Sequence, residues 1–323
     1  MAAPARKYLS FEIEARPLDE EISRLARLAP GSKEHVAALA RLEKLLKSHT
    51  AKLSAWEHVQ LARHPDRPYS LDLVGRLFSD FEPLAGDRLF GEDPALVGGL
   101  ARFGGAPVCL LAQQKGRTAE ERSHRNFGMV RPEGYRKAQR LLGLAGRFGL
   151  PVICFVDTPG AFPGVEAEER GQAQAIAETL IALLEVPVPT VSLILGEGGS
   201  GGALALAASD RILMAEHAVY SVISPEGCAA ILWKDSKQAP AAAEALHGDA
   251  KSLLKLGIID AVVGEPPGGA HRDVEVFSRA AGKAIAAELK DLRKLSAEKL
   301  LARRRERYRH VTSTSVRGAG GRA

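Results

Sequence analysis

The densest chemistry-bearing stretch of the chain is Gly196-Glu197-Gly198-Gly199-Ser200-Gly201-Gly202, five glycines in seven positions. A β-branched, proline-punctuated run up to Leu195 precedes it, and an alanine–leucine stretch suited only to a helix follows. Strand, glycine turn and helix in that order leave bare backbone N–H groups at a helix N-terminus, where the positive end of the dipole favours an anion. Glycine suits such a turn because it allows tight backbone angles and puts no Cβ between the amides and an incoming group.

Three chemistries fit these residues. Gly196, Gly198 and Gly201 satisfy the G-x-G-x-x-G spacing of a dinucleotide turn, with Glu216 placed as a ribose-binding acid, although the following helix is short for that fold. Gly198-Gly199-Ser200-Gly201-Gly202 also matches a nucleophile elbow, G-x-S-x-G, with Asp260 and His271 in triad order. His271, among Gly268, Gly269 and Ala270, has nothing in sequence to orient it. The third chemistry is an oxyanion hole without a nucleophile, in which the N–H groups of Gly201, Gly202 and Ala203 hold a carbonyl oxygen as it gains charge; one such donor is worth ~3 kcal/mol. No side-chain base is needed if the substrate or cofactor carries its own. A plain packing turn between strand and helix is the bland alternative, and a Walker-type phosphate loop is excluded because no Lys-Ser or Lys-Thr follows the glycines.

Period and punctuation outline the elements that must position the turn. Helical spacing covers residues 17–63, with Leu18, Ile22, Leu25 and Leu28 on one helix and Val36, Leu39, Leu42, Leu45 and Leu46 on a second, separated at Pro30-Gly31 and capped by Ser32. Narrow stripes on charged helices suggest an arm packed on a neighbour. The pattern stops at His64-Pro65-Asp66-Arg67-Pro68. Residues 96–103 and 106–113 around Gly104-Gly105 read as a β-hairpin, and the polar, basic segment after it as a long loop. A helix is expected over 132–148, ended by Gly149 and Pro151, then a buried strand over 152–156. A second turn, Asp157–Gly164, leads into a helix over 166–184, and a strand over 190–195 opens the glycine turn. A short strand over 211–215, helices over 226–233, 241–247 and 251–256, an edge strand over 261–264 and one long or broken helix over 272–309 complete the chain. Strands alternating with helices argue an α/β layer structure with crossovers.

Composition bounds the class. With 323 residues, 46% hydrophobic and 26% charged, the chain fills a substantial core. No apolar run approaches the ~20 residues of a membrane span, and the N-terminus has no apolar leader core. Cys109, Cys154 and Cys228 are widely spaced, the first two within strands, which reads as reduced, packed thiols of a cytoplasmic protein with neither disulfide frame nor metal site. Lys299, Arg303, Arg304, Arg305, Arg307 and Arg309 could meet nucleic-acid phosphates, but such a run is more often a solvated helix face.

Longer motifs are far more specific. Leu61–Asp72 (LARHPDRPYSLD), Gln114–Arg117 (QKGR), Asn126–Met129 (NFGM), Pro132–Ala138 (PEGYRKA), Asp157–Gly164 (DTPGAFPG), Gly196–Ala205 (GEGGSGGALA), Tyr220–Trp233 (YSVISPEGCAAILW) and Gly268–Arg272 (GGAHR) occur in an order and spacing that closely resemble the α subunit of bacterial acetyl-CoA carboxylase carboxyltransferases, over about residues 8–300. The resemblance implies an α/β, crotonase-like fold, a spiral of ββα units with backbone-amide oxyanion holes. On that frame residues 1–65 are an N-terminal helical arm, 66–271 the carboxyltransferase domain, 272–309 a C-terminal helical region and 310–323 a tail expected to be disordered.

The implied activity is transfer of the carboxyl group from carboxybiotin to acetyl-CoA, giving malonyl-CoA for fatty acid biosynthesis. The implied partners are a β subunit in an α2β2 assembly, the biotin carboxyl carrier protein that bears the biotin, and biotin carboxylase in the holoenzyme. The β subunit would chiefly hold acetyl-CoA and carry a zinc ribbon, which fits the lack of any Cys-x-x-Cys here. Gly201 and Gly202 are then the expected oxyanion hole, with Ala203, Gly199, Gly160 and Ala161 shaping the carboxybiotin pocket. Lys115, Arg117 and Arg125 could meet CoA phosphates or acids of a partner. A stand-alone crotonase-type hydratase or hydrolase is the alternative.

Overall fold

The computed structural model describes residues 6–319, with side chains as far as Val311. The leucine-spaced N-terminal segment folds as α1 (Arg16–Leu28), with Pro17 in its first turn, and α2 (Lys33–Thr50), where Ser32 Oγ accepts the His35 N–H. α3 (Ala55–Ala62) and α4 (Ser70–Leu77) flank the proline-containing stretch. This arm is tied down by buried polar contacts. Glu12 Oε1 meets His271 Nε2 at 2.8 Å, and Arg272 donates to both carboxylate oxygens of Asp19 at 2.9 and 3.0 Å.

One eight-stranded mixed sheet carries the rest, in the order β1-β2-β3-β4-β5-β6-β8 with β7 paired to the end of β5. β1 (Phe78–Pro83), β2 (Leu96–Phe103) and β3 (Ala106–Gln113) form an antiparallel meander. α5 (Ala119–His124) and α6 (Pro132–Phe148) lead to β4 (Val152–Thr158); α7 (Val165–Glu169) and α8 (Gln172–Glu185) lead to β5 (Thr190–Gly199). α9 (Ser200–Ala207) crosses to β6 (Arg211–Ala215), which β7 (Val219–Ser221) follows. α10 (Pro225–Trp233), α11 (Ala239–Leu246) and α12 (Ala250–Lys255) precede β8 (Ala261–Val263); α13 (Val274–Leu292) and α14 (Ala297–Ala319) close the chain. β3 to β6 run parallel, and β4 is buried at every position, as its unbroken apolar run requires of a strand covered on both faces.

Several expectations are corrected. The helix expected over 166–184 is two, because Gly171 takes a left-handed φ of +79° between them. The long polar loop contains α5, whose start is closed by a capping box between Thr118 and Glu121. The strand expected to end at Leu195 continues to Gly199, because Glu197–Gly199 pair with β7. β1 and β7 were not anticipated; each is short and without strict alternation, so its pairing comes from tertiary neighbours. Of the two forms expected for the C-terminal helix the structure takes the broken pair, with Ser296 Oγ accepting the Lys299 N–H at the new start, and only its end differs, since α14 continues past 309 to Ala319. Of the tail expected to be disordered over 310–323, residues 310–319 belong to α14 and residues 320–323 lie outside the described residues. Arg304 and Arg307, read as part of a solvated basic face, turn inward onto Asp210 and Asp260. That removes two of the six cations from any surface run.

Candidate active site

The two glycine-containing turns emerge side by side. β4 and β5 are adjacent and parallel, in one register from Val152↔Thr190 to Val156↔Ile194 and, after a shift, at Thr158↔Gly198, so Pro159-Gly160-Ala161 and Gly199–Gly202 leave the same sheet end together. They touch backbone to backbone. A Cβ on Gly199 would lie 2.1 Å from the Pro159 carbonyl oxygen, and one on Gly202 would lie 2.6 Å from Ala161 N. Gly160 has a φ of +155°, reserved in practice for glycine, and is pinned by Thr158 Oγ1, which accepts its N–H at 3.1 Å and donates to its carbonyl at 2.7 Å.

α9 begins at Ser200, so the N–H groups of Gly201 and Gly202 fall in the first turn and have no intrahelical acceptor. The Ala161 N–H, on the turn that touches Gly202, makes no hydrogen bond among the described residues. These three backbone donors lie on two turns in contact. Ala203 lies deeper, its side chain fully buried. Gly201 opens on a cleft of about 390 Å³ lined mainly by Leu204, Tyr220, Val222, Leu246 and Leu256, with Ser200 and His247 at its wall. The cleft continues onto an exposed apolar surface, where Val222 is 77% and Ile231 70% exposed. Backbone donors beside an apolar cleft can hold an oxygen that gains negative charge.

The competing chemistries do not assemble. Ser200 is exposed, sits at φ +52° and makes no side-chain hydrogen bond. Asp260 accepts from Arg307 Nη1 at 2.6 Å and from the Ile212 N–H at 2.7 Å. His271 is buried against Glu12 and stacked on His64, with ring centroids 3.8 Å apart. The triad residues therefore each have other partners. Glu216 accepts the Glu265 N–H, and the spaces above Gly196 and Gly198 are filled by Asp157 and Tyr220, so no pyrophosphate cradle is open there.

Glu12, His64 and His271 are close enough to share an ion. The imidazole planes are stacked at 19°, however, so their lone pairs cannot converge on one centre, and His64 Nδ1 accepts the Asp66 N–H, which leaves its proton on Nε2 facing Glu12. The cluster is a hydrogen-bonded clasp. Burial opposes ionisation of Glu12, but the two imidazoles hold its carboxyl well below the ordinary range.

The basic residues offered for CoA phosphates are committed elsewhere. Lys115 bridges Asp157 and Glu197, Arg117 pairs with Asp72 and covers the Tyr69 ring, and Arg125 donates to the Pro94 carbonyl. Sequence reasoning missed the role of Gln113, Lys115, Asp157 and Glu197 as a set. All four lie within or beside the quoted motifs, but nothing in linear spacing pairs them.

A mixed sheet whose parallel strand ends present paired amide turns is the architecture of the crotonase-like carboxyltransferases. A transcarboxylase 12S chain, solved with methylmalonyl-coenzyme A and methylmalonic acid, superposes with a TM-score of 0.58 at 20% identity, over 71% of this chain and 42% of that one. A Pseudomonas malonate decarboxylase chain, from a hetero-tetramer in complex with coenzyme A, superposes at 0.56 and 18% identity over 71% and 91%. The chain belongs to the acetyl co-enzyme A carboxylase carboxyltransferase-like family, whose model matches residues 8–312. An acetyl-coenzyme A carboxylase carboxyl transferase subunit alpha from Gluconacetobacter diazotrophicus is 53% identical over 94% of this chain and 97% of its own length. One from Acidiphilium cryptum is 52% identical over 96% and 99%. The chain is a carboxyl-transferring enzyme of the α-subunit type.

Proposed function

We propose that this chain is the α half of a cytoplasmic carboxyltransferase that, with a β subunit, moves a carboxyl group from carboxybiotin on a carrier protein to acetyl-CoA, giving malonyl-CoA for fatty acid biosynthesis. The observation that carries the proposal is the pair of N–H groups at Gly201 and Gly202 that have no intrahelical acceptor in the first turn of α9, with Gly201 opening on a largely apolar cleft. The residues fit a ureido ring: amide donors for its oxygen and apolar walls for its body. Bound carboxybiotin would supply the carboxyl group and, after its release, the base.

The chain's own part is electrostatic. Gly201 and Gly202 N–H donate to the ureido oxygen as it takes charge, which stabilises the transition state more than the ground state. Gly160 and Ala161 close the pocket from the neighbouring turn, Gly199 keeps the two turns in contact, and Ala203 continues the helix whose dipole points at the oxygen. The thioester acceptor is left to the β subunit, which fits the exposed apolar surface beside the cleft. The proposal includes an α2β2 assembly, with zinc only in the β subunit and biotin carboxylase completing the holoenzyme.

The test is reconstitution. Purified chain, β subunit, carboxylated carrier and acetyl-CoA should form malonyl-CoA, and the chain alone should form none. Malonyl-CoA without the β subunit, or thioester hydration or hydrolysis by the lone chain, would overturn the reading. A Ser200→Ala variant should retain transfer within about threefold, because the site uses backbone and not the hydroxyl. Loss of ~10³-fold or more in that variant would revive the nucleophile elbow.

A further inference from the structure

We propose that Lys115 and Gln113 are positioning residues for carboxyl transfer, setting the distance between the two amide-bearing turns by clamping the strand ends beneath them. The inference rests on the oxyanion reading above. Asp157 lies two residues before Pro159 on β4, and Glu197 four residues before Gly201 on β5. Lys115 Nζ, from the loop after β3, sits 2.8 Å from Asp157 Oδ1 and 2.8 Å from Glu197 Oε2. Asp157 Oδ1 also accepts the Glu197 N–H at 3.0 Å. One ammonium therefore couples the carboxylates of both strands just below their turns.

Gln113, the fully buried last residue of β3, reaches the turns more directly. Its Oε1 accepts the Asp157 N–H at 3.1 Å, and its Nε2 donates to the Gly202 carbonyl at 2.7 Å. A single side-chain amide thus spans β4 and the first turn of α9. Behind Glu197, Arg63 Nε donates to Oε1 at 2.6 Å while Arg63 Nη1 holds Glu226 at 2.5 Å, so Glu197 is gripped from both sides.

Lys115 and Glu197 are both held in their charged forms near neutrality. Burial alone would lower Lys115, yet Asp157 and Glu197 hold it above its ordinary value; burial would raise Glu197, yet Lys115 and Arg63 bring it down to about 2. The clamp is also sealed by missing side chains. A Cβ on Gly128 would lie 2.8 Å from Lys115 Cγ and 3.1 Å from the Asp157 carbonyl, and one on Gly196 would lie 2.8 Å from Asp157 Oδ1. This gives glycines of the NFGM and GEGG motifs a reason in packing against Lys115 and Asp157. In so desolvated a setting a charge keeps its place only while its partners keep theirs.

The consequence is kinetic, because a shift of ~1 Å between oxyanion donors costs on the order of 10²-fold in rate. In the complex reconstituted with the β subunit, Lys115→Met should lower kcat by about 10²-fold and leave KM for acetyl-CoA within about twofold. Gln113→Met, which strands no buried charge, should lower kcat about tenfold with the same unchanged KM, and it carries the test if Lys115→Met does not fold. Wild-type kcat in the folded variants, or a loss confined to KM or to the yield of assembled complex, would overturn the clamp. Failure of the wild-type pair to form malonyl-CoA would remove the proposed function first, and the catalytic role of the clamp with it.

Discussion

Replacing Gly202 with alanine is expected to lower carboxyl transfer by about 10²- to 10³-fold, the range seen when one oxyanion donor is lost. The new Cβ would stand 2.6 Å from both Ala161 N and the Gly160 carbonyl carbon. Both are backbone atoms, so no side chain can swing aside, and the Gly160-Ala161 turn must move away from α9. The displacement acts on the donors of both turns at once. Gly201→Ala is the matched control, because its Cβ would meet Ile176 Cγ2 at 3.6 Å, an ordinary contact, and should cost no more than about threefold. Two adjacent glycines thus separate by two orders of magnitude for a reason in packing. The measurement is kcat in the reconstituted complex, with assembly checked by size-exclusion chromatography; wild-type turnover by an assembled Gly202→Ala complex would show that the contact between turns is dispensable.

The largest stability effect is expected at Arg304. Its side chain is 1% exposed, and every donor of the guanidinium is used. Nε and Nη2 bind the two oxygens of Asp210 at 2.8 and 2.7 Å, Nη1 donates to the carbonyls of Leu183, Leu184 and Val186, and Nη2 to that of Val188. Two of these carbonyls belong to the last turn of α8, which lacks intrahelical donors, so an arginine from α14 caps a helix more than a hundred residues earlier. Asp210 in turn accepts the N–H and hydroxyl of Thr190, the first residue of β5. Arg304→Met keeps the bulk and strands Asp210 without a counter-charge, which costs about 3–5 kcal/mol. The melting temperature should fall by roughly 10 °C. Because the damage lies at the far end of β5 from the amides, kcat measured well below the new transition should stay within a few-fold of wild type. A melting temperature within about 2 °C of wild type would mean that the C-terminal helix is not stapled to the sheet in this way.

Much of the local architecture was legible in the residues. The hairpin around Gly104-Gly105, the helix from Pro132 to Phe148 and the strand from Arg211 to Ala215 stand where punctuation and apolar period place them. Each is specified by signals within its own span: a proline in a first turn, a glycine at a C-terminal cap, a pair of glycines between apolar runs. The glycine turn itself was legible as a helix N-terminus for an anion, and the long motifs pointed to the family.

The tertiary structure decided what the turn is for and which residues serve it. Lys115, Asp157 and Glu197 look in sequence like one solvent-facing cation and two unrelated acids, and they become one buried unit only because β4 and β5 are neighbours. Gly201 and Gly202 are the same letter in sequence, yet one faces a cleft and the other presses on a second turn. His271 and Asp260 satisfy the order of a triad and are carried to separate partnerships. Period and capping depend on neighbours within a few residues, so a sequence displays them directly. Charge pairing and backbone contact depend on which distant strands share an edge, and that is settled only when the sheet closes.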